Sequence, residues 1–238
     1  GPGDPGLDAL CGSPGTVGAA PMQNVGAYGA EIASFVDSVQ VLDLRSRAVV
    51  TMYASECRFG YRGSLFKRSD HFVVLSVTFD LLRGELSEPV RYAELATALG
   101  IEVGDRAPCG EVREAVLKLR SSKGMVLDAA DPDSVSAGSF FTNPVVSVAP
   151  AGAPSWPDAS GGVKVSAAWL IENSGFGKGW GTGQIGLSSK HPVAWVNRGG
   201  GTTAELLPVA RELRAGVPDR SGLCLVSRPG TVADAPWT

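Results

Sequence analysis

The sequence predicts an α+β protein with at least two subregions, on three observations. Runs rich in β-branched residues cluster at 36–44 (VDSVQVLDL), 47–53 (RAVVTMY) and 71–82 (HFVVLSVTFDLL). Helix-patterned segments follow at 92–100 and 109–122. The second half then mixes helix signals with stretches dense in glycine and proline. Grouped strands followed by grouped helices are the pattern of an α+β chain.

Residues 1–35 are rich in Gly, Ala and Pro and carry no periodic signal. The first two β-rich runs are separated by Arg45-Ser46-Arg47, which predicts a hairpin. The near-continuous apolar run at 71–82 predicts a buried strand. The segment CGEVREAVLKLRSS (109–122) predicts a helix, with Val112, Val116 and Leu119 on one face at i, i+4 and i+7. Residues 123–139 break the pattern and mark a crossing between domains. A Pro/Gly/Ser loop is expected at 149–162 and a helix at 164–175 with a glycine stop. A glycine-rich segment, GKGWGTGQIGLS, comes next. A helix over 202–216 opens with a capping box, Thr202 to Glu205, and Pro208 in its second turn marks a kink. The chain closes on a strand at 222–232. The resulting limits are 1–124, 125–220 and 221–238, with the last strand returning to the first part.

Composition narrows the function. Apolar residues are 44% and charged residues 19%, ordinary for a globular protein. A net charge of −3 gives no overall basic footprint for nucleic acid. No apolar run reaches the ~20 residues of a membrane helix, and no secretory signal is visible. The chain begins with Gly rather than Met, as expected of a processed, tagged or fragmentary chain. Cys11, Cys57, Cys109 and Cys224 are far apart and lack zinc spacing, so free thiols in a reducing, cytoplasmic setting are expected. His71 and His191 cannot build a His-rich metal site, and His71 reads as structural. Nothing in the pattern sets an oligomeric state.

Three places could carry chemistry. Gly12, Gly15 and Gly18 have G-x-x-G-x-x-G spacing. That spacing serves equally a backbone cradle for phosphate and tight turns in a layer of small residues. It is neither the Rossmann fingerprint nor a Walker loop. In FGYRGSLFK (59–67), Tyr61, Arg62 and Lys67 sit among apolar residues. Arginine there suits a carboxylate ligand, or is a solvated charge beside a strand. In SAGSFFTNPVVS (136–147), Ser139 stands between a glycine and two phenylalanines with no nucleophile motif around it. It is a proton or hydrogen-bond donor, or a turn serine.

Taken together, SPGTVGAAPMQNVGAYGAE (13–31), FGYRGSLFK, AGSFFTNP (137–144), KVSAAWLIENSGFGKG (164–179) and LSSKHPVAWVNRGGGTTAEL (187–206) resemble one family in order and spacing. That family is the UDP-N-acetylenolpyruvoylglucosamine reductases (MurB), in an actinobacterial-like form. The resemblance implies the second half of a PCMH-type FAD-binding domain followed by a substrate-binding α+β domain. It also implies FAD and NADPH as cofactors and a UDP-sugar substrate, UDP-N-acetylglucosamine enolpyruvate, reduced to UDP-N-acetylmuramate for peptidoglycan. By resemblance, Ser139 is the proton donor and Arg62 polarises the substrate carboxylate. Tyr61, Asn143, Trp156, Lys178 and His191 fall at substrate-contacting positions. Gly12, Gly15, Thr16, Gly18, Gln23, Asn24, Gly26 and Ala27 fall in the flavin-contacting loop.

The sequence also departs from the family. The match starts after the family's G-G-G-S-N-type loop, which wraps the flavin pyrophosphate. Where the family's last strand carries a glutamate that pairs with the catalytic serine, this chain has Ser227-Arg228-Pro229. Arg228 therefore occupies a catalytic position with inverted charge. Gly63, Ala168 and Ser13 replace Asp, Gly and Ile of the family motifs. These changes motivate an alternative, a catalytically weakened relative that binds a UDP-sugar or another anion. A third possibility is a structural fragment with no activity of its own.

Overall fold

A computed structural model of the chain describes residues 3–136 and 138–227. It divides into two compact units, Gly1–Arg120 and Ser121–Thr238. The division falls within a helix, one turn before the expected crossing at residue 124.

In the first unit, two short strands, β1 (Gly26–Ala27) and β2 (Ala30–Glu31), pair antiparallel. The two residues between them, Tyr28 and Gly29, both have positive φ, at 50° and 85°. This is the geometry of a two-residue turn whose twist matches its strands. It is hard to read from sequence because tyrosine replaces the usual Asn or Asp. The expected hairpin is β3 (Val36–Asp43) with β4 (Ala48–Tyr53), and β5 (Phe72–Phe79) pairs with the other side of β3. The sheet order is therefore β4-β3-β5, all antiparallel. β3 is central, and its Val39 and Val41 are fully buried with Ile32, Val36, Cys57 and Phe66.

β5 is not the buried strand its sequence suggests. It lies at an edge, and only alternate residues face the core. Phe72, Val74, Val77 and Phe79 pack inward, while Val73 and Leu75 are 45% and 49% exposed. A register shift opposite Gln40 and Val41 leaves Leu75 outside the regular pairing.

Two helices form a separate core in this unit. α1 (Ala93–Leu99) ends at Gly100, whose left-handed backbone lets its N–H reach the last carbonyls. α2 (Cys109–Ser122) buries Val112 and Val116 as its periodicity predicts, against Val90, Leu95, Ala96 and Ala107. Burial pushes the Cys57 and Cys109 thiols up to about 11, as expected of inert core cysteines.

In the second unit, three small sheets surround one core. They are β6 (Phe141–Thr142) with β13 (Val226–Ser227), the order β7-β9-β8 from Val145–Val146, Val163–Val165 and Ser155–Pro157, and the order β10-β11-β12 from Gly181–Thr182, Ile185–Leu187 and Trp195–Asn197. The expected loop at 149–162 thus contains β8. The expected helix at 164–175 starts later. Val163–Val165 is β-branched on both sides of Lys164 and pairs with β7 and β8, and Ser166 then caps α3 (Ala167–Asn173) by accepting from the Trp169 N–H at 3.2 Å. The described part of the final strand, Val226–Ser227, pairs with β6 inside this unit.

α4 (Thr203–Ser221) opens with the capping box read from sequence: Thr202 and Glu205 bond each other's backbone N–H. It runs through Pro208 and Pro218 and ends at Ser221, five residues beyond the expected end at Gly216, with Gly222 as its left-handed cap. Gly216 is a packing glycine. A Cβ there would lie 2.5 Å from the ring of Phe176, which is held edge-on against Trp180.

Two outcomes check this packing. Gly216→Ala should lower the melting temperature despite the helix propensity gained, costing about 1–3 kcal/mol of overpacking. Gly110→Ala in α2, where a new methyl would meet nothing within 4 Å, should raise it. With iodoacetamide at pH 8, exposed Cys224 should be labelled in the folded chain, and buried Cys57 and Cys109 only after unfolding.

Candidate functional site

In the first unit, two segments meet through one buried side chain. Asn24 is 1% exposed and has a left-handed backbone (φ 48°). Its amide donates to the Glu31 carboxylate at 2.8 Å and to the Gly60 carbonyl at 3.0 Å, and its carbonyl accepts from the Ala33 N–H at 3.0 Å. Ser64 adds a second link, donating to the Met22 carbonyl at 2.7 Å. The 60–63 turn is closed by paired bonds between Gly60 and Gly63 and carries Arg62 at φ 50°.

Arg62 then reaches back across the junction. Its guanidinium donates to the Gly26 carbonyl at 2.7 Å and the Asn24 carbonyl at 3.4 Å, pairs with Glu31 at 3.3 Å, and lies over the Tyr61 ring at 5.3 Å. A side chain at Gly26 would crowd this junction, since a Cβ would sit 2.9 Å from the Ala30 carbonyl oxygen and 2.5 Å from the Arg62 guanidinium, which would have to move. Asn24, Gly26, Tyr61 and Arg62 are thus brought together, with Gln23 and Ala27 as chain neighbours. Glu31 is a member that sequence reasoning missed. It lies in a two-residue strand at the end of the 13–31 motif, where nothing local marks it as a partner of Arg62.

The Gly12–Gly18 arch is open. Gly12 and Gly15 have φ of 70° and 111°, and Thr16 precedes a short 3-10 helix over Val17–Ala19. Side chains added at Gly15 or Gly18 would meet no protein atom within 4 Å. The arch therefore presents bare backbone to whatever approaches it, a fit to one wall of a phosphate or flavin cradle. A cavity of about 480 Å³ in this unit is lined by Tyr61 with Arg45, Arg58, Ser69 and His71. The Ser69 hydroxyl bonds the His71 ring, which also packs on Phe72 at 4.1 Å, as expected of a structural histidine.

In the second unit, Ser139 is half-buried and bridges antiparallel to Ala194. Gly138 precedes it at φ 79°, and the next residue, Phe140, donates its N–H to Val193 at 2.7 Å. Phe140 and Phe141 are buried edge-to-face at 5.0 Å, and Phe140 also contacts Trp195 at 5.0 Å. The aromatic pair therefore anchors the Ser139 turn in the core, which explains why a loop carries Phe-Phe. Ser227, the last described residue, is registered with Phe141. Arg228 lies outside the described residues.

Asn143 uses its side-chain carbonyl to accept from the Ala167 N–H at 2.9 Å, so it helps start α3. Trp156 is 47% exposed on β8, opposite Lys164, whose ammonium pairs with Asp158 at 3.2 Å. The Ser160 hydroxyl and N–H, with Lys164, hold the Asp158 carboxyl down at about 2. Lys178 is exposed, and the N–H of its neighbour Gly179 donates to the Ser188 carbonyl at 3.0 Å. The His191 N–H donates to the Ser188 hydroxyl at 3.3 Å. Ser139, Lys178 and His191 thus converge around residues 188–194, while Asn143 and Trp156 belong to the β7-β9-β8 side. A second cavity, about 390 Å³, is lined by Asp131, Asp133, Ser189, Lys190 and Arg198. Among the described residues no cluster of His, Cys, Asp or Glu could hold a metal, and no helix is long and apolar enough to cross a membrane.

Comparison with known proteins agrees with the resemblance. The family model described as UDP-N-acetylenolpyruvoylglucosamine reductase, C-terminal domain, matches residues 131–231. A UDP-N-acetylenolpyruvoylglucosamine reductase of Thermobifida fusca is 52% identical, covering 94% of this chain and 67% of its own. One of Salinispora arenicola is also 52% identical, over 94% of this chain and 66% of its own. The crystal structure of MurB from Thermus caldophilus superposes with a TM-score of 0.62 at 24% identity, over 95% of this chain and 64% of that one, which supports the fold. The chain spans about two thirds of the length of these relatives. At this level of identity and coverage the chain belongs to the UDP-N-acetylenolpyruvoylglucosamine reductase family.

Proposed function

We propose that the chain carries out, or forms the larger part of a protein that carries out, the reduction of UDP-N-acetylglucosamine enolpyruvate to UDP-N-acetylmuramate in cytoplasmic peptidoglycan synthesis. The observation that carries this reading is the setting of Ser139. Its turn is anchored by a buried aromatic pair, beside the segments that bear Lys178 and His191. The first unit is the flavin side in this reading and the second the substrate side.

The open arch at Gly12, Gly15, Thr16 and Gly18 and the adjoining Gln23, Asn24, Gly26 and Ala27 would hold FAD, which would supply hydride transfer from NADPH to the enolpyruvyl double bond. Arg62 binds the substrate carboxylate and draws electron density out of the double bond. Glu31 and the Gly26 carbonyl hold the guanidinium in place for that task. Ser139 supplies the proton to the neighbouring carbon. A hydroxyl is a weak acid in water, and the apolar surface of Phe140, Phe141 and Trp195 behind its turn keeps part of its surroundings dry. In this reading Lys178 and His191 would contact the diphosphate and sugar, Asn143 would contact the UDP-sugar from the β7 side, and the exposed Trp156 ring would stack on the nucleobase.

A second reading rests on Arg228. Arginine at the family's glutamate position binds an anion but cannot take a carboxylate's acid–base role. In that reading the chain binds a UDP-sugar without turnover.

Titration of the purified chain with FAD should give a flavin spectrum and NADPH oxidation that depends on the enolpyruvyl substrate; a preparation that stays colourless overturns the reductase reading for this chain. Calorimetry with UDP-N-acetylglucosamine should give binding heat under either reading. Ser139→Ala should lower kcat by about 10²–10⁴-fold while NADPH still bleaches the flavin. Arg228→Glu should raise kcat by restoring the family's charge pattern, and loss of activity in that variant would show that the alignment of the last strand or the role given to Arg228 is wrong.

A further inference from the structure

We infer that Asp133 and Ser188 are a buried positioning pair that sets the geometry of the substrate pocket, an inference that rests on the reading of Ser139, Lys178 and His191 given above. Neither residue touches substrate in that reading. Both are almost wholly buried, Asp133 at 3% and Ser188 at 0% exposure.

One Asp133 carboxylate oxygen accepts from the Ser188 hydroxyl at 3.1 Å, the Ser189 N–H at 2.9 Å and the Ser189 hydroxyl. A hydroxyl offers one donor and two acceptor sites. Ser188 uses all three. It donates to Asp133 and accepts from the N–H groups of Lys190 at 3.0 Å and His191 at 3.3 Å. Its backbone is equally committed, with the carbonyl accepting from Gly179 at 3.0 Å and the N–H donating to Ala194 at 2.8 Å.

These bonds lead to the three site residues. Gly179 adjoins Lys178, His191 is bonded directly, and Ala194 is the residue bridged to Ser139. Asp133 itself lies six positions before Ser139 in the same segment. The pair therefore fixes both ends of the serine turn relative to the loops bearing Lys178 and His191.

The surroundings leave little room for it to shift. Gly124, at φ 65°, packs so closely that a Cβ there would lie 3.1 Å from the Asp133 Cβ. On the outer side Lys190 donates to Asp131 at 2.6 Å and holds that carboxyl below its ordinary range, while Asp131 accepts from the Asp133 N–H at 3.1 Å. Removing the Ser188 hydroxyl would orphan two amides and loosen one bond of a buried carboxylate. A site displaced by a fraction of an ångström loses binding without losing its fold.

The test is calorimetric binding of UDP-N-acetylglucosamine to the full chain, with melting temperatures measured in parallel. Ser188→Ala and Asp133→Asn should each weaken binding about tenfold, and the double variant no further, because the two act as one unit. Ser188→Thr, which keeps the hydroxyl, should bind within about threefold of the unaltered chain. Thr202→Ala, which removes the remote α4 cap, should lower the melting temperature without changing affinity. Ser188→Ala that binds like the unaltered chain, or a Thr202→Ala that weakens binding as much, overturns the pair. If the unaltered chain gives no heat, the reading of the pocket fails, and amide exchange decides the pair separately. Protection of Lys190 and His191 that is lost in Ser188→Ala and kept in Ser188→Thr supports it, and unchanged protection in Ser188→Ala overturns it.

Discussion

The first unit depends on the cost of burying one amide. An amide removed from water without partners costs several kcal/mol, so it persists only where each of its groups is bonded. Asn24 meets that condition with bonds to Glu31, Gly60 and Ala33. It does so at a positive φ, which asparagine tolerates better than most residues. Its three partners come from two places in the chain, 31–33 and 60, and bonding them at once leaves few alternative arrangements. The location of the Arg62 guanidinium follows from it, since two of that group's contacts are Glu31 and the Asn24 carbonyl. Asn24 is thus the junction that holds the 22–33 and 60–64 segments together.

The second unit solves a similar problem with different chemistry. Asp133 is a charge rather than an amide, and it is tolerated because three donors satisfy one of its oxygens. In both units, a short polar side chain out of contact with solvent joins loops that bear candidate site residues. The division of labour is physically sensible. Under the proposed function, an exposed group such as Lys178 needs freedom to meet a ligand, and the precision of its placement is stored in the buried bonds behind it.

What could be read from sequence was what is local. The hairpin of β3 and β4 follows from two β-branched runs around a short polar turn. The buried stripe of α2 follows from spacing, and the start of α4 from Thr202 and Glu205 alone. What could not be read depends on residues distant in the chain. Gly216 reads as a stop because nothing nearby shows that Phe176 needs its missing side chain. The apolar run at 72–79 reads as buried because the sequence does not say that β5 lies at an edge. Asp133 and Ser188 are 55 positions apart, and no local pattern pairs them. The site residues themselves were legible through resemblance more than through local pattern: Ser139 by itself was as good a turn serine as a proton donor, and Arg228 lies outside the described residues.

β4 has one further consequence. Its sequence, AVVTMY, carries no charge and no proline, and it lies at the open edge of the β4-β3-β5 sheet. Val49, Val50 and Tyr53 are all exposed, although Val50 is registered with the fully buried Val41 and so lies on the core side of the sheet. Most proteins guard such an edge with lysine, a bulge or a covering loop. Here the backbone donors and acceptors of an apolar six-residue strand face outward, the composition that favours strand-on-strand growth. A strand of this composition at a sheet edge favours pairing with a second copy of itself as concentration rises.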